Sequence, residues 1–231
     1  MSGTDTIVRA GDGTPMPVYL AGEAFPARPA IILFPPIFGI DASAKEIANR
    51  WAGRGYVVAV PDYFFRTAPG VLDRSEDGRK RAMSRWKSLD VDQVMEDMRT
   101  LKSILLAKPS SSGALGSLGF CAGGELAFLA ATRLDAKAVA TFHATHIDRH
   151  LSEIDLIGGK ATLHYGGNDP LVPMEQVEAI RSALSADPRV DIHVYPGAAH
   201  GFSFHGQPSY HEVAATESDR RAQEVLATLK A

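Results

Sequence analysis

Along the chain, short apolar runs rich in β-branched residues alternate with longer stretches whose apolar positions recur at three- and four-residue steps. The short runs predict strands at 17–20, 30–34, 56–60, 114–118, 138–142, 161–165 and 190–195. Several are apolar throughout, as parallel strands covered on both faces must be. The longer stretches predict helices at 42–54, 91–106, 125–133, 174–184 and 211–229. In the second of these, Val94, Met95, Met98, Leu101, Ile104 and Leu105 form one helical face. Strand–helix alternation of this kind predicts a mostly parallel central sheet with helices on both faces. The first strand pair, before residue 30, has no helix between its members and predicts an antiparallel hairpin at the edge. Pro35-Pro36, the run Pro109-Ser110-Ser111-Ser112-Gly113, and Pro196-Gly197 read as loops. Residues 67–90 break the alternation with a mixed charge run around Trp86, and read as a cap-like insertion beside the sheet. The remainder predicts one domain over 1–231.

Composition narrows the class. With 231 residues, 45% of them hydrophobic and 22% charged, the chain has the make-up of a soluble globular domain. A net charge of −3 lacks the basic footprint of a nucleic-acid binder. The N-terminus shows neither the basic nor the apolar stretch of a signal peptide. No apolar run approaches the roughly 20 residues of a membrane span. A single cysteine permits no internal disulfide. The expectation is a cytoplasmic protein with a small-molecule partner, no nucleic-acid or membrane partner, and a monomeric or weakly dimeric state.

That one cysteine sits in Gly119-Phe120-Cys121-Ala122-Gly123-Gly124, between a strand-like and a helix-like run. A Gly-x-nucleophile-x-Gly segment in this context is the pattern of a nucleophile elbow, whose tight turn needs minimal side chains beside the nucleophile. Here the nucleophile is a thiol, which attacks well only as thiolate. Asp169, in Gly166-Gly167-Asn168-Asp169, and His200, in Gly197-Ala198-Ala199-His200-Gly201-Phe202, also follow predicted strands. In open α/β sheets function gathers at strand carboxyl ends. The order nucleophile, acid, histidine is that of α/β-hydrolases. In this reading His200 shuttles the proton, Asp169 orients the imidazole, and the backbone N–H groups of Ala122 and Ile37 hold an oxyanion. Each residue taken singly has a plainer explanation, as a small core thiol, a turn aspartate or a structural histidine. The joint pattern of type, order and position favours catalysis.

The strings Pro36-Ile37-Phe38-Gly39-Ile40, Pro61-Asp62-Tyr63-Phe64-Phe65-Arg66, Gly119–Gly124, Tyr165-Gly166-Gly167-Asn168-Asp169-Pro170 and Gly197–Phe202 resemble the dienelactone hydrolase family. The resemblance runs from about Ala30 to the C-terminus. It implies an α/β-hydrolase fold, an enol-lactone-opening activity, no cofactor and no metal, with the triad roles on Cys121, Asp169 and His200. It further assigns a substrate-carboxylate contact to Arg79, which lies seven residues before Trp86. Phe38, His143 and Phe204 are the other expected substrate-lining residues, His143 at the rim of the site. The chain departs from the family pattern at Pro36, where the best-known member has a proton-accepting glutamate, and at Phe204, where it has a second arginine. The region Phe142-His143 is also altered. These departures keep the acyl-transfer machinery and alter the pocket around it.

A thiol limits the substrate, because thiolate is a better leaving group than alkoxide or amide anion. Forward collapse of the tetrahedral adduct is easiest for lactones and activated small esters. The same machinery also suits a broad carboxylesterase or an acyltransferase. Two readings from other classes compete with it. His143, His146 and His150 form H-x-x-H-x-x-x-H, a candidate zinc set. A hydrolase scaffold can also serve only for binding.

Overall fold

The computed structural model describes residues 2–23, 26–184 and 187–230. It contains two compact units, Met1–Gly116 and Ser117–Ala231.

In the first unit, β1 (Thr4–Arg9) and β2 (Pro15–Ala21) form the antiparallel hairpin expected of the N-terminal segment. β1 itself is absent from the apolar pattern because its residues are exposed or half-buried, so little burial signal marks it. β2 pairs antiparallel with β4 (Val57–Pro61), and β3 (Arg28–Phe34) pairs parallel with β4. The unit's strand order is therefore β1-β2-β4-β3. Both β3 and β4 are almost wholly buried, as continuous apolar runs require. Three helices begin on side-chain caps that satisfy an orphan N–H of the first turn. These are α1 (Ala42–Gly53) on Asp41, α2 (Glu76–Lys87) on Ser75 and α3 (Val91–Leu106) on Asp90. α3 buries Val94, Met95, Met98, Leu101 and Leu105, as its spacing predicts, while Ile104 is half-buried.

The polar segment 67–90 contains α2, a helix that the apolar pattern does not reveal. Its buried face, Gly78, Ala82, Arg85 and Trp86, has the right spacing but carries a cation where an apolar residue is expected. Arg85 is 4% exposed. Its Nε and Nη2 donate to the Ile37 carbonyl, and its Nη1 donates to those of Ala68 at 2.9 Å and Gly70 at 2.8 Å. The guanidinium also lies 4.1 Å from the Phe64 ring centroid. The loops holding Ile37 and Gly70 are thus tied to α2 through one side chain.

β5 (Ser111–Phe120) passes from the first unit into the second. It begins three residues earlier than predicted, inside the Ser-rich run read as a loop. Those first residues are mostly exposed and carry no hydrophobic signal. The second unit continues with α4 (Ala122–Arg133), β6 (Ala138–Phe142), a 3₁₀ segment (Ile147–Leu156), β7 (Lys160–Gly166), α5 (Met174–Leu184), β8 (Val190–Tyr195) and α6 (Glu212–Ala227). Its order is β5-β6-β7-β8, with β6, β7 and β8 mutually parallel. α4 starts three residues before the predicted helix, directly at the elbow, and most of its residues are buried. Among the described residues, no helix is long and apolar enough to cross a membrane.

Replacing Arg85 with alanine strands the buried Ile37 carbonyl and removes the donors to the carbonyls of Ala68 and Gly70, which lie on exposed residues. At about 1–3 kcal/mol for the stranded buried carbonyl, and less for the two that water can reach, the variant should lose about 2–4 kcal/mol. Urea unfolding measures this, and a loss below about 1 kcal/mol would contradict the clamp.

Candidate active site

In the second unit the three residues of the predicted triad follow the carboxyl ends of β5, β7 and β8. Cys121 lies between β5 and α4 with φ 56° and ψ −124°, a conformation that non-glycine residues rarely adopt. Close packing on either side holds this strained turn. A side chain at Gly119 would come within 2.3 Å of the Gly123 carbonyl oxygen, and one at Gly124 within 2.3 Å of the Ala144 Cβ. The Cys121 N–H donates to the Phe142 carbonyl at 3.0 Å, and its carbonyl accepts from Gly124 N–H at 2.9 Å. The thiol is partly exposed and occupies the N-cap of α4 without capping it. The helix dipole there favours negative charge. Ala122, the first residue of α4, carries one of the N–H groups that no helix can satisfy internally.

Asp169 and His200 sit on two loops laced together by backbone bonds. Gly167 N–H donates to the Tyr195 carbonyl at 2.8 Å, and Asn168 N–H to that of Ala198 at 2.9 Å. Below the second loop, Ala198 and Phe202 pack with Ala214 of α6 in a fully buried cluster. Asp169 Oδ2 meets His200 Nδ1 at 2.8 Å. Its other oxygen accepts from the N–H groups of Leu171 at 2.8 Å and Val172 at 3.3 Å. Both carboxylate oxygens are therefore fixed.

Burial alone would lower the His200 pKa, but the Asp169 hydrogen bond and the neighbouring Cys121 sulfur raise it to about 10. His200 Nε2 is buried and has no well-formed hydrogen bond among the described residues. Such contacts in unliganded sites are commonly loose and tighten with substrate. With its pKa raised to about 10, the ring carries a proton at neutral pH.

The remaining predicted residues fare differently. His143 is wholly buried and does not lie at the rim. The apolar end of β6 carries it inward, and its ring centroid is 4.7 Å from that of His200. Phe204 is also buried, against Phe120 and His143. In the first unit, Phe38 is buried beneath the Arg74 guanidinium, 4.3 Å from its ring centroid. Ile37 is buried with its carbonyl held by Arg85. Arg79 is exposed on α2, its Nε donating to the Arg74 carbonyl at 2.9 Å.

The three spaced histidines do not converge. His146 and His150 both turn to Glu125, at 3.4 and 2.8 Å, while His143 turns to Ser203 at 3.1 Å. Among the described residues no group of three or more His, Cys, Asp or Glu side chains is arranged to hold a metal ion. Burial would raise the Glu125 carboxyl, but its bonds to His146 and His150 hold it below the ordinary range. Glu125 and Ser203 were not singled out by their sequence context. An acid in the first turn of an otherwise apolar helix was the available signal for Glu125.

Residues 16–230 match the profile of the dienelactone hydrolase family. The chain belongs to the dienelactone hydrolase family. It is 27% identical over 225 residues to a carboxymethylenebutenolidase of Pseudomonas putida, covering 96% of this chain and 95% of the relative. It is 27% identical over 214 residues to carboxymethylenebutenolidase 1 of Cupriavidus pinatubonensis, covering 92% and 91%. Among solved structures, m3DLH superposes with a TM-score of 0.82 at 24% identity over 99% of both chains. A dienelactone hydrolase-like promiscuous phosphotriesterase from metagenomic libraries superposes at 0.78, also with 24% identity over 99% of both chains. These likenesses establish the α/β-hydrolase fold, and with the family they make the chain a dienelactone hydrolase-like enzyme.

Replacing Asp169 with asparagine should bring the His200 pKa down from about 10 toward the ordinary imidazole value of about 6.5, read by NMR titration. Because the folded-state value is raised, the pairing stabilises fully below about pH 6.5 and ceases to do so as pH rises through about 10. The stability deficit of Asp169→Asn should therefore be larger near pH 6 than near pH 10. An unchanged His200 titration would contradict this.

Proposed function

We propose that the protein hydrolyses a lactone or small activated carboxylic ester through a covalent thioester on Cys121. The observation that carries the reading is the fixed Asp169–His200 pair, at 2.8 Å, whose imidazole also responds to the Cys121 sulfur. The name of the Pseudomonas putida relative, carboxymethylenebutenolidase, is that of a lactone hydrolase and agrees with this reading.

The scheme starts with the proton on His200 and with Cys121 reacting as its thiolate, the nucleophilic form of a thiol. The Cys121 sulfur attacks the carbonyl carbon, and the negative charge passes to the carbonyl oxygen, with the Ala122 N–H as one donor. Collapse breaks the carbon–oxygen bond of the ester, and His200 gives its proton to the departing oxygen. Neutral His200 then takes a proton from water as hydroxide adds to the thioester carbon. The second collapse releases the carboxylic product and restores thiolate beside imidazolium. Asp169 keeps the ring in one orientation and balances its charge throughout. This scheme needs no glutamate where the chain has Pro36, because the proton already resides on His200. A reducing cytoplasmic setting suits a thiol nucleophile.

Leaving-group stability decides which substrates go forward. The enzyme should cleave p-nitrophenyl acetate faster than p-nitroacetanilide by about 100-fold or more. Cys121→Ala should abolish ester turnover while leaving the fold intact by circular dichroism. Faster amide than ester cleavage, or a Cys121→Ala variant with unchanged kcat, would contradict the reading.

A further inference from the structure

His143 combines features that burial alone does not call for. It is 0% exposed, and its backbone is left-handed at φ 41°. That conformation costs about 1–3 kcal/mol for a side chain of this kind and persists only where the surroundings over-determine it. Here they do. The His143 N–H donates to the His164 carbonyl at 2.7 Å, and Nε2 bonds to Ser203 Oγ at 3.1 Å. The ring sits among Phe120, Phe202 and Phe204, with centroids 6.3, 5.5 and 5.4 Å away. A phenyl group would fill such a space without the cost of burying ring nitrogens. What distinguishes the imidazole is its bond to Ser203, three residues beyond His200 on the same loop.

The remaining contact is with His200 itself. The two rings meet edge-to-face, 62° between planes and 4.7 Å between centroids. We propose that His143 is a positioning residue for His200: the Ser203 bond and the ring contact brace the imidazole so that Nδ1 stays on Asp169 and Nε2 stays free for the Cys121 side. The proposal rests on the Cys121–Asp169–His200 reading above.

Charge supports this arrangement. Burial, and then the charge of His200, hold the His143 pKa well below the ordinary imidazole range. His143 is neutral whenever His200 carries its proton, so the brace adds no repulsion. Among the described contacts, His200 is the titratable group facing the His143 ring; the others are the Ser203 hydroxyl and three phenyl rings.

Steady-state kinetics on p-nitrophenyl acetate, with iodoacetamide alkylation of Cys121 followed against pH, test the brace. His143→Ala should lower kcat about 10- to 100-fold, the range that small misplacement of a reacting group produces, with KM within about 2-fold of wild type. Its alkylation profile should move to higher pH, because a displaced imidazolium no longer supports the thiolate. His143→Phe restores the ring wall without the hydroxyl bond, and should recover part of the kcat. Ser203→Ala should lower kcat by a smaller factor than His143→Ala.

A raised KM with unchanged kcat would overturn the proposal and make His143 a substrate contact. Unchanged kcat and alkylation profiles in all three variants would overturn it as well. If His143→Ala does not fold, His143→Phe and Ser203→Ala decide on the same criteria. Cys121→Ala, assayed alongside, separates the two levels. If it stays active, the thiol reading fails and the brace with it. If it is dead while the His143 and Ser203 variants match wild type, only the brace fails.

Discussion

The Asp169–His200 hydrogen bond is the constraint on which the proposed chemistry of the chain's single thiol depends. A carboxylate with one oxygen committed to two backbone N–H groups can aim its other oxygen in only one direction. The imidazole that meets it is thereby held protonated despite its burial. In the proposed scheme the proton is already on the ring, so the sulfur needs no separate base. The strained turn at Cys121 serves the same end, since it places the sulfur at the N-cap of α4, where helix dipole and imidazolium both favour negative charge.

Everything around this pair in the second unit acts to hold two loops still. The loop after β7 is bonded to the loop after β8 through Gly167 and Asn168, and the latter is packed onto α6 through Ala198 and Phe202. The elbow, in turn, is bonded to the last residue of β6 through the Cys121 N–H and Phe142 carbonyl. Buried Glu125 adds a polar tie, joining α4 to His146 and His150 beyond that same strand. Two of the three histidines that in isolation suggest a metal set are here the partners of a buried carboxylate. Rigid loops at strand ends are what a site needs if its reacting groups are to stay in register.

Much of this could be read from residue order. Apolar runs located the buried strands β3, β4, β6 and β7, because full burial leaves an unbroken hydrophobic signature. The placement of Cys121, Asp169 and His200 beyond strand ends was legible because each follows such a run among turn-forming residues. What escaped had a shared cause: the stabilising partner was polar. β1 is an exposed edge, so alternation is weak. α2 buries an arginine, and a guanidinium satisfied by three backbone carbonyls cannot be told in sequence from one in solvent. His143 was placed at the rim because polarity suggests exposure, yet Ser203 and three phenyl rings surround it in the interior. Glu125 and Ser203 act through partners distant in the chain, which spacing cannot reveal.

The most direct measurement is mass spectrometry of the enzyme quenched within milliseconds of mixing with an aryl ester, followed by peptide mapping. The account predicts a transient mass increase of one acyl group, localised to the peptide bearing Cys121 and sensitive to hydroxylamine. An acyl group on a different residue, or turnover with no adduct at any time point, would contradict it.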